Sequence, residues 1–286
     1  MNKQPATFDD QMRKLRERGC EISDEEFCKR VLAKVNYYRL SAYFLMYKQS
    51  DGNYLPDTSF DKAYRVYEFD RKLRGILFAA IEEVEISMRA EIAYFHAHTY
   101  GALGYMDSAN HNGKHDHERF RKQLEREVSA SATALFVKHH QKKYGGKFPI
   151  WVAVELFTFG MLSRFYADMK TDGQNAVAGV LSTSVANVKS WLHCCTVLRN
   201  ICAHYGRLYF RTFSVIPANR NLPKLPDGWA TDKLFGAVYA LHGLFLDKQR
   251  WKSEFMPSLS ALIDEYSDVV DLGHIGFPNE WKVVLA

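Results

Sequence analysis

Residues 198–207 read LRNICAHYGR, and four side chains in that run can do chemistry. Arg199 is a permanent cation whose planar donors match the oxygens of a phosphate. His204 can take and give a proton near neutral pH. Asn200 offers a donor and an acceptor that can orient either neighbour. Arg207 follows three residues after the histidine. Such a set suits metal-free cleavage of RNA. A base removes the proton of a ribose 2′-OH, and the freed oxygen attacks the adjacent phosphorus. An acid protonates the leaving 5′-oxygen, while an arginine stabilises the charge building on the phosphorane. The 2′-OH makes this reaction specific to RNA. The competing reading is that Arg, Asn and His on a helix make ordinary surface or packing contacts.

These residues must be positioned by a helix that the spacing predicts over about 184–209. Val188, Leu192, Cys195, Leu198 and Cys202 recur on one side at helical spacing. Thr196, Asn200 and His204 step by four along another side, with Arg207 at its edge. Arg199 and His204 are five apart, which places them roughly 140° apart on an ideal helix. They do not converge on one small ligand from one helix. Either Arg199 wraps around the helix, or two copies of the helix face each other across a two-fold axis. Tyr205, Arg207, Tyr209 and Arg211 interleave aromatics with guanidinium groups after His204. Aromatics can stack bases and arginines can hold phosphates, so Tyr205, Arg207 and Arg211 are candidate RNA contacts. A similar run, NYYRLSAYF, lies near the N-terminus, where Tyr37, Tyr38 and Tyr43 are expected to pack the core.

The remaining chain also reads as helical. Residues 1–50 form helices, with Ser23 as an N-cap and Glu26 as its capping-box partner before the stripe Phe27, Val31, Val35, Tyr38, Ala42 and Leu45. SDGNYLPDTSF is a loop or short hairpin. Residues 60–98 form one long helix with the stripe Phe69, Leu73, Leu77, Ala80, Val84, Met88, Ile92 and Phe95. Glu85 and Arg89 pair at i, i+4 on its solvated face. The loop TYGALGYMDSANHNGKHDH carries His111, His115 and His117, but the spacing matches no zinc signature, so a solvated polar loop is expected and no metal site. A charged helix then spans 118–144, ended by Gly145 and Gly146. A buried helix opens at Pro149 and carries Trp151, Val154, Phe157, Met161, Phe165 and Met169. KTDGQN separates it from a shorter helix. SVIPANRNLPKLPDG is a Pro-rich connector, and helices at about 231–247 and 252–267 precede the closing DLGHIGFPNEW. No Gly-rich phosphate loop, GxSxG or HExxH occurs, and no internal repeat or low-complexity segment stands out.

With these elements in place, a resemblance becomes legible. Arg199-Asn200-Ile201-Cys202-Ala203-His204 resembles the R-x(4–6)-H motif of the HEPN superfamily, in which a polar residue follows the arginine. CKRVLAKVNYYRLSAYF, YEFDRKLRGILFAAIEEVEISMRAEIAYF, YGALGY, FPIWVAVELFTFGMLSRFY, LRNICAHYGRLYFR and HIGFP resemble, in order, the blocks of the Abi-like abortive-infection family of the AbiD/AbiF type. These blocks run from about residue 20 to residue 280. The resemblance implies an all-α fold, a HEPN-type helical bundle with additional N- and C-terminal helices. It implies a homodimer whose two motifs form one composite ribonuclease site, with Arg199 and His204 catalytic and Asn200 supporting them. It further implies bacterial phage defence, and association with a structured non-coding RNA. On this reading residues 1–286 are a single domain: an N-terminal helical region (1–58), a HEPN-like core (59–212), and the connector with C-terminal helices (213–286).

Composition sets the outer limits. Apolar residues make up 47% of 286 and charged residues 25%, an ordinary globular balance with enough chain for a sizeable core. No run of about 18 apolar residues suggests a membrane span, and MNKQPATFDDQMRKLRERG has no apolar leader segment, so a cytoplasmic location is expected. The net charge of +5 permits a polyanionic partner without requiring one. Cys20, Cys28, Cys194, Cys195 and Cys202 are odd in number and contain no CxxC pair, which favours reduced, mostly buried thiols. No cofactor is expected. Two other functions fit the same residues. In one, the chain holds a dedicated non-coding RNA without cutting it, and binding is strongly salt-sensitive. In the other, it is a protein-interaction subunit of a toxin–antitoxin pair and binds no RNA.

Overall fold

The computed structural model describes residues 4–220, 222 and 232–286. Among these residues the protein is all-helical, with no strand and three isolated β-bridges. The N-terminal helices are α1 (Phe8–Glu17), α2 (Glu25–Lys34) and α3 (Tyr37–Ser41). Asp24 caps α2 in place of the predicted Ser23–Glu26 box, its carboxylate accepting the Phe27 N–H at 2.8 Å. A carboxylate there both satisfies a free N–H and meets the positive end of the helix. The helix predicted to run through Leu45 stops at Lys34, because Asn36 starts a new one by accepting the Tyr38 N–H at 2.8 Å. These helices and the 3₁₀ turn Ala42–Tyr47 bury Met12, Leu15, Cys28, Val31, Leu40 and Phe44 against Phe60 and Ala63 in a satellite core.

The spine is α4 (Phe60–Tyr100), 41 residues and about 60 Å long. It is followed by α5 (His117–Ala130), α6 (Leu135–Tyr144), α7 (Ile150–Ala153), α8 (Phe159–Asp168), α9 (Thr171–Val180), α10 (Val185–Ala203) and α11 (Leu234–Leu244). Then α12 (Lys248–Arg250) runs through a π turn at Trp251–Phe255 into α13 (Met256–Glu265), and α14 (Trp281–Val284) closes the chain. The predicted α4 stripe is buried from Phe69 to Ile92, while Phe95 is half-buried. α4 packs on α7, α9, α10 and α13, and α10 packs on α8 and α11. At the α10–α11 contact Gly243 lies directly against the indole of buried Trp191, which leaves no room for a Cβ.

Two predicted helices are broken. The charged helix 118–144 is two helices, α5 and α6. The small residues between them, Ser131 to Thr133, bury little that would hold another turn, and Ala134 is extended. The helix after Pro149 is also two. α7 passes into a 3₁₀ turn, Phe157 is extended, and Thr158 caps α8 through the Met161 N–H at 3.2 Å. The carbonyls freed at that break are taken by Arg89, which donates to Val154 and, at 2.8 Å, to Phe157. The Glu85–Arg89 pair forms, but it is largely buried and not on a solvated face. Residues 221 and 223–231, most of the second half of the predicted Pro-rich connector and the first residue of the helix predicted at 231, lie outside the described residues. All five cysteines are buried and unpaired, and burial pushes the thiols of Cys20, Cys194 and Cys202 up to about 12. Among the described residues no helix is long and apolar enough to cross a membrane.

Candidate active site

Leu192, Cys195, Leu198 and Cys202 anchor α10 in the main core and turn its other side outward. Arg199 is half-buried on that side and Asn200 is exposed. The Arg199 Nε is buried without a hydrogen-bond partner, and one guanidinium nitrogen lies 3.5 Å from Asn200 Oδ1, the long limit of a hydrogen bond. Among the described residues no carboxylate pairs with this guanidinium. Buried polar groups nearly always find partners, and this donor has none among the described residues.

α10 ends at Ala203, six residues before the predicted end, and His204 is its exposed C-cap. The Tyr205 N–H bonds to the Cys202 carbonyl at 3.1 Å and the Gly206 N–H to that of Ile201 at 2.7 Å, a Schellman ending. The left-handed position of such an ending usually holds glycine. Here it is Tyr205, with φ of 57° and 69% of its surface exposed. Placing a side chain there costs about 1–2 kcal/mol, and backbone strain of this kind gathers at functional sites.

The turn after His204 is held by residues far away in the chain. Arg39 of α3 donates to the Tyr205 carbonyl at 2.6 Å, and Arg74 of α4 to that of Gly206 at 3.2 Å. Asp70, fully buried one helical turn before Arg74, accepts the N–H groups of Leu208 at 3.0 Å and Tyr209 at 2.7 Å. It also accepts the Tyr43 hydroxyl at 2.7 Å and pairs with Arg74. Burial and the Asp70 charge push the Tyr43 phenol well above its usual value, so it stays a hydrogen-bond donor. These contacts satisfy backbone groups outside the helix and explain its early end.

Of the predicted site residues, the structure brings Arg199 and Asn200 together, with His204 one turn on at the cap. Tyr205 and Arg211 are exposed beside it, and Arg211 reaches only the Arg207 carbonyl, at 3.4 Å. Arg207 is half-buried and donates to the Ala42 carbonyl at 2.5 Å, so it braces the turn. Tyr43 packs in the core as expected and Tyr37 is half-buried, but Tyr38 is 85% exposed. Sequence reasoning missed Arg39, Asp70 and Arg74. The signal present was an Asp and an Arg at i, i+4 immediately beside the apolar stripe of α4.

Among the described residues the protein is all-helical, with an arginine, an amide and an exposed imidazole at one helix end. The sequence pattern of the Abi-like protein family matches residues 30–210, well over half the chain and including Arg199, Asn200 and His204. The chain belongs to the Abi-like protein family, and this membership points to abortive infection. It matches no curated protein sequence and no solved structure.

Proposed function

We propose that this chain is a HEPN-type endoribonuclease of bacterial phage defence, cutting RNA at a composite site between two copies of itself, with no metal ion in the chemical step. The observation that carries the reading is the Arg199 guanidinium, paired with no carboxylate among the described residues and with its Nε buried without a partner, beside exposed Asn200 and one turn from exposed His204. Arg199 holds the scissile phosphate and stabilises the charge developing on its oxygens. His204 of one copy takes the 2′-OH proton, and His204 of the other delivers a proton to the 5′-oxygen. The 2′-oxygen–phosphorus bond forms as the phosphorus–5′-oxygen bond breaks, leaving a 2′,3′-cyclic phosphate and a 5′-OH. Asn200 orients the guanidinium. Tyr205 and Arg211 flank the RNA, as a stacking surface and a phosphate contact. A structured non-coding RNA is the expected cellular partner.

The experiment uses the purified full chain in EDTA with end-labelled cellular RNA and any RNA that copurifies. Wild type should yield cyclic-phosphate ends, and His204→Ala should yield none while remaining folded and dimeric by sedimentation. Equal cleavage by the two proteins overturns the reading. Tight, salt-sensitive binding of a copurifying RNA without cleavage, even at high protein concentration, would favour a protein that holds RNA without cutting it.

A further inference from the structure

The histidines of the loop predicted to be solvated are buried or half-buried. His111 is 5% exposed and the His115 side chain 3%, and their rings stack with centroids 3.8 Å apart. His111, His115 and His117 each turn one ring nitrogen inward, and these atoms all lie within 4.8 Å of one another. The opposite side of two of the rings is held by an acceptor. His111 Nε2 meets the Tyr105 carbonyl at 3.1 Å, and His115 Nδ1 meets Asp168 Oδ2 at 3.0 Å. The His117 ring also meets the Met106 backbone.

Those two acceptors favour tautomers whose N–H points outward on His111 and His115. A neutral imidazole has one N–H and one lone pair. The lone pairs of His111 Nδ1 and His115 Nε2 are then free to face a cation. His111 Nδ1 is buried with no partner, and His115 Nε2 lies 3.2 Å from His117 Nδ1. With its own proton on Nε2, His117 offers the third lone pair. Two imidazoles on one tetrahedral zinc, each about 2.0–2.1 Å from the metal, stand roughly 3.3–3.4 Å apart, close to the separation found here. Asp168 on the His115 N–H reproduces the carboxylate–histidine–zinc relay that fixes ligand orientation in metal sites.

We propose that His111, His115 and His117 bind a zinc ion, with water as the fourth ligand. The ion fastens the loop after α4 and the first turn of α5 to the end of α8. The backbone is prepared for it. The Asn112 N–H bonds to the Asp168 carbonyl at 2.8 Å, and its side-chain amide donates to the Ala167 carbonyl at 2.9 Å and that of Met169 at 3.1 Å. The site therefore persists without metal. It is separate from the Arg199–His204 region. Lys189 of α10 feels the charge of Asp168, and His204 lies about 22 Å further along that helix.

The test uses the full chain stripped with a chelator and dialysed, then titrated with Zn²⁺ against a chromophoric competitor, and separately with Co²⁺ as a spectroscopic probe. Wild type should take up one equivalent tightly, melt at a higher temperature with zinc, and give the intense visible bands of tetrahedral cobalt. His117→Gln, a half-buried position, should keep the metal-free helical spectrum and lose at least tenfold in affinity. Removing two histidines outside the cluster, by His139→Ala with His140→Ala, should leave metal uptake unchanged. Uptake that is absent in wild type, unaltered by His117→Gln, or lost in the His139/His140 variant overturns the proposal. RNA cleavage is not the readout, so failure here is distinct from failure of the ribonuclease reading.

Discussion

The carboxylate of Asp70, buried in the first third of α4, accepts the backbone N–H of Tyr209 at 2.7 Å across 139 residues of chain. The same carboxylate holds Leu208 and pairs with Arg74, whose guanidinium in turn reaches Gly206. One buried ion pair therefore sets the backbone path just after His204. Replacing Asp70 with alanine leaves the Arg74 charge uncompensated and two N–H groups without acceptors. The expected loss is about 3–5 kcal/mol, measurable by urea unfolding. Faster amide exchange at Leu208 and Tyr209 should accompany it. A loss under about 1 kcal/mol would show that the pair does not brace the turn.

Tyr205 carries the opposite signature, a cost in the backbone at an exposed side chain. Tyr205→Gly should stabilise the protein by about 1 kcal/mol, seen as a higher urea midpoint at unchanged slope. On the ribonuclease reading the same variant should bind RNA more weakly, because the stacking ring is gone. Stabilisation with unchanged RNA affinity would reduce Tyr205 to an incidental surface residue.

Gly243 decides how closely α10 and α11 approach. A methyl group there meets the rigid, buried indole of Trp191, so Gly243→Ala should cost about 1–3 kcal/mol. Pairing it with Trp191→Phe, which shortens the ring, should recover part of that loss. A neutral Gly243→Ala measured by thermal melting would mean that the helices can move apart freely.

Two histidines make the fold sensitive to acid. Burial lowers His96 to about 4, and burial with the charges of Lys248 and Lys252 lowers His242 to about 3. In each case the unfolded chain takes up the proton near 6.5 and the folded one does so only at lower pH. Stability is thus fully present above about 6.5 and falls as pH drops toward 4 and 3. Each histidine contributes up to about 1.4 kcal/mol per pH unit within its window. His242→Phe keeps a ring against Trp251, whose centroid is 4.9 Å away, and should flatten the slope between pH 6 and 4 measured by urea unfolding. An unchanged slope would remove His242 from the account.

Local pattern alone determined that this chain is helical and which face of α10 is buried. Helical burial repeats every 3.6 residues, so an apolar stripe announces itself within a few turns. The same short range explains what the pattern could not carry. α10 stops at Ala203 because Arg39, Asp70 and Arg74 take up the next backbone groups. The helix after Pro149 breaks where Arg89 takes two of its carbonyls. His111, His115 and His117 read as a polar loop until Tyr105, Met106 and Asp168 order their rings. Most of these are bonds between groups far apart in the chain, and only tertiary packing brings such donors and acceptors within hydrogen-bonding distance.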